Sequence, residues 1–220
     1  MKRERVLITG GAGYLGSVLA GQLLDNGYRV TCLDNFSVGA DASKSLLHLV
    51  HKPGFEFVFG DVRHNDTLEE IVPKHDVIVP LAGIVGAPQC DLNPVDAILV
   101  NRDAVLNINR IRSANQKLIY PNTNSGYGAT TGEVFCSEDT PLNPVSLYGK
   151  TKCEAEKALL SSKKPVVTLR LATVFGTSPK MRTDLLVNYF TMEAVKNGCL
   201  IVYQKDFKRN FAHVRDVARC

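Results

Sequence analysis

Tyr148 and Lys152 stand four residues apart in Tyr148-Gly149-Lys150-Thr151-Lys152, a spacing that puts both on one face of a helix. A free phenol has a pKa of about 10 and is a poor base at neutral pH. Bringing it to about 7 takes roughly 4 kcal/mol of differential stabilisation of the phenolate. A neighbouring ammonium contributes to that stabilisation. By itself the spacing is common on helix surfaces, so its meaning depends on what else the chain supplies. Upstream, Thr123 in Tyr120-Pro121-Asn122-Thr123-Asn124-Ser125-Gly126-Tyr127-Gly128 offers a hydroxyl to the oxygen of a reacting substrate. The Asn, Ser and Gly around it also suit an ordinary turn.

The second constellation is Thr9-Gly10-Gly11-Ala12-Gly13-Tyr14-Leu15-Gly16, with Gly10, Gly13 and Gly16 in G-x-x-G-x-x-G spacing. Gly10 permits a tight turn, Gly13 lets backbone N–H groups approach a pyrophosphate, and Gly16 allows a helix to pack closely on a strand. The positive end of that helix favours an anion. Gly-rich turns are frequent, but here a strand precedes, a helix follows and Asp34 ends the next strand, which together specify a dinucleotide cradle. Asp34 is expected to accept hydrogen bonds from the adenosine ribose and to repel a 2′-phosphate. No Arg follows in Asn35-Phe36-Ser37, so NAD is expected over NADP. Asp61-Val62 comes after the third strand and is expected near the adenine. With a nicotinamide cofactor in the cleft, its positive ring joins Lys152 in favouring the Tyr148 phenolate.

The elements that must position these groups alternate strand and helix. Strands are expected at 6–8, 29–33, 55–59, 77–81, 117–120 and 166–171, and helices at 14–26, 66–72, 93–115, 146–161 and 184–197. Asp66 and Glu69 have capping-box spacing, and Asn93-Pro94 reads as a cap followed by an N1 proline. Near-continuous apolar strands in such an alternation imply an α/β fold with a doubly wound parallel sheet covered on both faces. The Gly83–Asn93 and Asn122–Asn143 segments read as long loops after strand ends, where such sheets bind ligands.

The chain has 220 residues, 45% apolar and 22% charged, which excludes disorder, collagen and coiled coil for the whole length. The longest apolar stretch, Val77 to Pro88, is broken by Pro80, Gly83 and Gly86 and is too short to span a bilayer. No apolar run of secretory type precedes the glycine loop. A net charge of +4 gives little reason to expect nucleic acid. Lys205, Lys208, Arg209, Arg215 and Arg219 cluster near the end, as a solvated basic face or as an anion site. Six cysteines occur without a C-x-x-C pair, so no metal site is expected and a cytoplasmic setting is. Cys32 and Cys199 read as small apolar fillers.

From Val6 to Ala218 the sequence resembles the extended short-chain dehydrogenase/reductases, the NAD-dependent nucleotide-sugar epimerase/dehydratase family, of UDP-glucose 4-epimerase type. The resemblance rests on the glycine loop, Asp34-Asn35, Asp61-Val62, Leu81-Ala82-Gly83, Asn101, the segment from Thr123 to Gly128, Tyr148 with Lys152, and Arg170. It implies a Rossmann-type domain over 1–172 and the start of a substrate lobe over 173–220, left incomplete at Cys220. It implies a catalytic triad of Thr123, Tyr148 and Lys152, with NAD contacts at Gly10, Gly13, Tyr14, Leu15, Gly16, Asp34, Asn35, Asp61, Val62, Leu81, Ala82, Gly83 and Asn101 and at Tyr148 and Lys152. It also implies a nucleotide-diphosphate sugar held by Asn188 and by Arg209 of Arg209-Asn210-Phe211-Ala212-His213-Val214-Arg215-Asp216, with Lys180 and Arg182 as lesser candidates. His213 reads as a packed, hydrogen-bonded side chain. A homodimer is implied by analogy.

The departures narrow the reaction. The dehydratases of this family carry Asp-Glu after the triad hydroxyl, whereas this chain has Asn124-Ser125 and so lacks those proton carriers. A cysteine at the position of Ser125, found in C3/C5 epimerases, is also missing, and Thr173 replaces a substrate-binding Asn. What remains is epimerisation at C4 through a transient 4-keto sugar. The alternatives are a nucleotide-sugar 4-ketoreductase and a non-catalytic dinucleotide-binding module.

Overall fold

The computed structural model describes residues 3–128, 135–203 and 205–220. Strands β1 (Arg5–Thr9), β2 (Arg29–Asp34), β3 (Phe55–Phe59), β4 (Val77–Pro80), β5 (Lys117–Thr123) and β6 (Val166–Leu171) form one sheet in the order β3-β2-β1-β4-β5-β6. Every pairing is parallel. Alternate side chains enter two cores. Leu7 and Leu33 join Leu68, Ile108 and Leu159, whereas Val6, Ile8, Val30 and Cys32 join Ala20 and Leu24. Helix α1 (Tyr14–Asp25) packs in the second core. Helices α2 (Asn65–Ile71), α5 (Ala104–Ile111) and α6 (Leu147–Ser161) pack in the first. Chain connections leave the carboxyl edge beside β1 in opposite directions, and that switch point is where a doubly wound sheet opens a crevice.

Several expectations need correction. Helix α3 (Ala87–Leu92) occupies most of the segment read as the loop Gly83–Asn93. The helix expected over 93–115 is broken into α4 (Pro94–Ile98), a wide π turn over Leu99–Asp103, and α5, and it stops at Ile111. It stops there because Arg112 turns away to donate Nη1 to the carbonyls of Gln116 at 2.7 Å and Pro165 at 2.8 Å. The Asn93 amide bonds Gln89 O and does not cap. The capping box at Asp66 does not form. His64 precedes α2, and Glu69 instead pairs with Arg110 on α5 at 2.9 Å. Strand β5 runs on through Pro121 to Thr123, which carries the triad hydroxyl to the sheet edge. Cys32 is buried as expected, but Cys199 is exposed. Residues 129–134 of the segment read as a loop over 122–143 lie outside the described residues.

Beyond β6 the chain leaves the large sheet. Strand β7 (Thr173–Phe175) pairs in parallel with β8 (Phe211–His213), aligning Phe175 with His213. Helix α7 (Leu186–Asn197) lies between them, and α8 (Val214–Arg219) follows and contacts α1. Among the described residues no helix is long and apolar enough to cross a membrane.

The turn between β1 and α1 has no room for side chains. A Cβ on Gly16 would stand 2.4 Å from the Gly10 carbonyl oxygen, and that backbone cannot move without displacing β1. Gly16→Ala is therefore expected to lower unfolding free energy by about 1–3 kcal/mol, measured by urea denaturation. A midpoint equal to that of the unmodified protein would contradict this packing.

Candidate functional site

Where β1 and β4 end, a cavity of about 690 Å³ opens. Gly10, at φ +72°, closes the turn so tightly that a Cβ would meet the Ala82 backbone nitrogen at 2.6 Å. Leu81 N donates to Thr9 O at 2.9 Å, and Ala82 N donates to Thr9 Oγ1 at 3.3 Å, which locks the β4 exit against the loop. Gly13 sits before the first turn of α1, with no side-chain cap and no acidic residue in that turn. The first N–H groups of a helix have no partner within it, and here they face the cavity lined by Gly13, Tyr14, Leu15 and Gly16. A diphosphate fits this arrangement by charge and by space.

Asp34 ends β2 with its carboxylate in the same cavity. Oδ2 accepts Ala12 N at 3.0 Å and Oδ1 accepts Phe36 N at 2.8 Å. The residue expected to read a ribose thus also ties the glycine loop to β2. Burial pushes its carboxyl up, and the backbone N–H groups oppose that shift. Asn35 Nδ2 donates to Asp61 Oδ2 at 2.8 Å. Arg63 grips Asp61 through Nε and Nη2 and reaches Asp96 Oδ1 through Nη1 at 2.7 Å. This guanidinium beside Asp61 holds its carboxyl well below the usual range. Asp61, Val62 and Arg63 all line the cavity. The sequence reading searched only the positions after Asp34 for a cation and missed Arg63, whose sole signal was its place two residues past Asp61.

Leu81, Ala82 and Gly83 form the opposite wall together with Asn101, which is buried on the π turn. Asn101 Oδ1 accepts Ile84 N at 2.8 Å, and Nδ2 donates to Ile84 O at 2.9 Å. Its amide is engaged in shaping the wall loop.

Thr123, Tyr148 and Lys152 meet in this cavity. Ser146 caps α6 by accepting Gly149 N at 3.1 Å, which fixes the helix start and hence where Tyr148 stands. Thr123 Oγ1 accepts Ser125 N at 3.1 Å, which holds its side chain at the end of β5. Lys152 Nζ lies 4.1 Å from the centroid of the Tyr120 ring. The expected acidification of the phenol by Lys152 is not what the protein produces alone. Burial pushes Tyr148 up to about 12, while Arg182 and Thr123 pull the other way. Burial also pushes the Lys152 ammonium down, to about 7.

On the far side, Arg209, Lys180 and Arg182 reach the cavity, and Arg182 forks onto Asp184 through Nε and Nη2. Asn124 Nδ2 donates to Asn210 Oδ1 at 2.7 Å, linking the end of β5 to the segment before β8. Of the residues expected to form the triad, the NAD contacts and the diphosphate anchor, Asn188 alone does not line the cavity. It is buried beneath it, accepting Gly176 N at 2.9 Å and donating to Arg182 O at 2.9 Å and Tyr14 Oη at 3.3 Å. His213 is packed, as expected: Nδ1 accepts Arg215 N at 3.3 Å and its ring stands edge-on to Phe175. Among the described residues no group of three His, Cys, Asp or Glu could hold a metal ion.

Two outcomes follow from these environments. Asp34→Ala is expected to lose about 1–3 kcal/mol of stability along with its discrimination against NADP, because a buried backbone N–H loses its acceptor. Paired denaturation and cofactor titrations check this, and unchanged stability would show that the Ala12 bond is dispensable. A lysine whose folded pKa lies below its unfolded value binds fewer protons folded than unfolded. Lys152 therefore makes stability rise with pH between about 7 and about 10.5. Lys152→Met should remove that part of the slope, measured as the difference between the two proteins' stability–pH curves; parallel curves would refute the depressed ammonium.

The sequence profile of the NAD dependent epimerase/dehydratase family matches residues 6–220. UDP-glucuronic acid decarboxylase 1 of Danio rerio is 28% identical, the match covering 98% of this chain and 52% of that protein. Putative UDP-arabinose 4-epimerase 4 of Arabidopsis thaliana is 35% identical over 79% of this chain and 42% of its own length. The chain thus spans about half the length of the curated relatives it matches. Among solved structures, UDP-glucuronic acid 4-epimerase from Bacillus cereus, in complex with UDP-glucuronic acid and NAD, superposes with a TM-score of 0.83. The identity is 28%, covering 98% of this chain and 71% of that one. With this match over nearly its whole length, and with the dinucleotide cradle it builds, the chain belongs to the NAD-dependent epimerase/dehydratase family of extended short-chain dehydrogenase/reductases, and its cofactor is NAD.

Proposed function

We propose that the protein is a nucleotide-sugar 4-epimerase acting through a transient 4-keto sugar. The observation that carries this reading is the convergence of Thr123, Tyr148 and Lys152 on the dinucleotide cavity, with Asn124 and Ser125 in place of further proton carriers. The cradle of Gly10, Gly13, Tyr14, Leu15 and Gly16, with Asp34 and Asn35, holds the diphosphate and the adenosine ribose. Asp61 and Val62 flank the adenine, and Leu81, Ala82, Gly83 and Asn101 wall the nicotinamide side. NAD supplies the acceptor and then the donor of the C4 hydride.

Tyr148 takes the proton from the sugar 4-OH at its phenolic oxygen and later returns it. Thr123 hydrogen-bonds that same sugar oxygen and orients it. Lys152 holds the nicotinamide ribose and, when charged, favours the phenolate. The sugar must show both faces at C4 to the same hydride position, so it must turn within the cavity while its diphosphate stays anchored. Arg209, with Asn188 beneath, is assigned to that anchor, and Lys180 and Arg182 add positive charge nearby. We divide the chain into an NAD-binding domain over 1–172 and the start of a substrate lobe over 173–220. The transfer of β7 out of the large sheet supports that division.

A homodimer through α4 and α6 accords with the exposed apolar side chains of Val95 on α4 and Leu160 on α6. Free thiols at all six cysteines accord with a cytoplasmic setting. The relatives named as 4-epimerases support C4 as the reacting centre.

The test is a panel of UDP-, dTDP-, GDP- and CDP-sugars with the whole protein and NAD, read by NMR. Inversion at C4 with no net change in mass is expected. Loss of water, loss of CO₂ from a uronic acid, or a net reduction would each overturn the epimerase assignment. Tyr148→Phe should lower turnover by about 10²–10⁴-fold with NAD affinity little changed. A base must be deprotonated to act, so activity should climb with pH on a limb that Tyr148→Phe abolishes. Undiminished turnover in that variant would falsify the mechanism.

A further inference from the structure

Lys152 is surrounded by a row of groups that the sequence reading left without a role. Tyr120, on β5, presents its ring face to Nζ and donates its hydroxyl to the Lys152 carbonyl oxygen at 3.4 Å. Glu156 follows Lys152 by one turn of α6, with its side chain only 2% exposed. Arg170, on β6, donates Nε to both carboxylate oxygens of Glu156 at 3.2 Å. The same guanidinium donates Nη1 to Tyr127 Oη at 3.2 Å and to Glu138 O at 3.0 Å. Strands β5 and β6 are paired neighbours, with Asn122 beside Arg170 and Tyr120 beside Thr168. The row therefore runs from the Tyr120 ring through Lys152 and Glu156 to Arg170, under the helix that carries Tyr148.

We propose that Tyr120 and Glu156 are positioning residues that favour the charged form of Lys152 against desolvation, and that Arg170 holds Glu156 in place to do so. An ammonium taken out of water reverts to the neutral amine unless something nearby favours its charge. The groups available are Tyr148, Cys153 and Glu156 on α6, Tyr120 on β5 and, beyond Glu156, Arg170 on β6; Cys90 on α3 bears on Tyr148. Burial keeps the Cys153 thiol and both phenols protonated. Glu156 is then the one negative charge among these groups, and the Tyr120 ring adds the attraction of its electron-rich face. Arg170 balances Glu156 and, through its other bonds, ties the pair to Tyr127 and Glu138. The row thus partly offsets the cost of charge on a half-buried lysine.

The meaning of this row for turnover rests on the role proposed for Lys152, but its test does not. The whole protein, labelled with ¹³Cε-lysine and free of NAD, is titrated by NMR, with Lys152→Arg identifying the resonance. Glu156→Gln is expected to lower the Lys152 midpoint by about 1 pH unit or more, with the other lysines unmoved. Glu156→Asp should recover part of that shift. Tyr120→Leu should lower the midpoint too, and Tyr120→Phe, which keeps the ring face, should leave it within a few tenths of a unit. A Lys152 midpoint unchanged in folded Glu156→Gln would overturn the proposal and leave the row as a packing device. If that variant does not fold, Tyr120→Leu and Tyr120→Phe decide the matter, and equal midpoints in those two would overturn it. Absence of epimerase turnover in the sugar panel, with these shifts intact, would reject the epimerase reading alone.

Discussion

The site depends on setting a phenol and an ammonium, both half-buried, in one cleft. Desolvation favours the uncharged form of both, which is why Tyr148 is pushed up to about 12 while Lys152 is pushed down to about 7. The pair is therefore not a base on its own account. The surrounding charges decide what it becomes: Arg182 bears on Tyr148, Glu156 bears on Lys152, and NAD⁺ adds a positive ring when bound. A site arranged this way is chemically quiet until its cleft is filled, so the protein does not carry a permanently reactive phenolate.

Much of the frame was legible in the sequence because its signals are local. Val6, Leu7 and Ile8 form an apolar run between a charged start and a glycine turn, and that run became the central strand. The glycine spacing and Asp34 placed the cradle for the same reason, since each residue acts within its own turn or at the end of the next strand. The triad was legible only once the cradle made its spacing meaningful.

What stayed hidden was decided between distant segments. Glu69 abandons its helix cap for Arg110, 41 residues away, and Arg112 ends its helix to reach Pro165. Arg63 links two carboxylates that no short window contains. The exposed Cys199 shows that small size alone does not assign a residue to a core. The direction of the Tyr148 shift in the protein without its cofactor was not legible, because it is a sum over every neighbour and the spacing of two residues names only one of them.

The Tyr14 hydroxyl donates to Gly176 O at 2.6 Å, and Asn188 joins Tyr14, Gly176 and Arg182 in one buried knot. Tyr14 belongs to the first turn of the dinucleotide helix, whereas Arg182 faces the opposite mouth of the cleft. The two mouths are thus joined by a short chain of hydrogen bonds, in which the Asn188 amide spans Tyr14 and Arg182 and Ser178 adds a bond to the Tyr14 carbonyl. By thermodynamic reciprocity, a ligand at either mouth that tightens or loosens this knot alters affinity at the other by the same factor. Asn188, which bonds both Tyr14 and Arg182, is the side chain through which such a change would pass from one half of the cleft to the other.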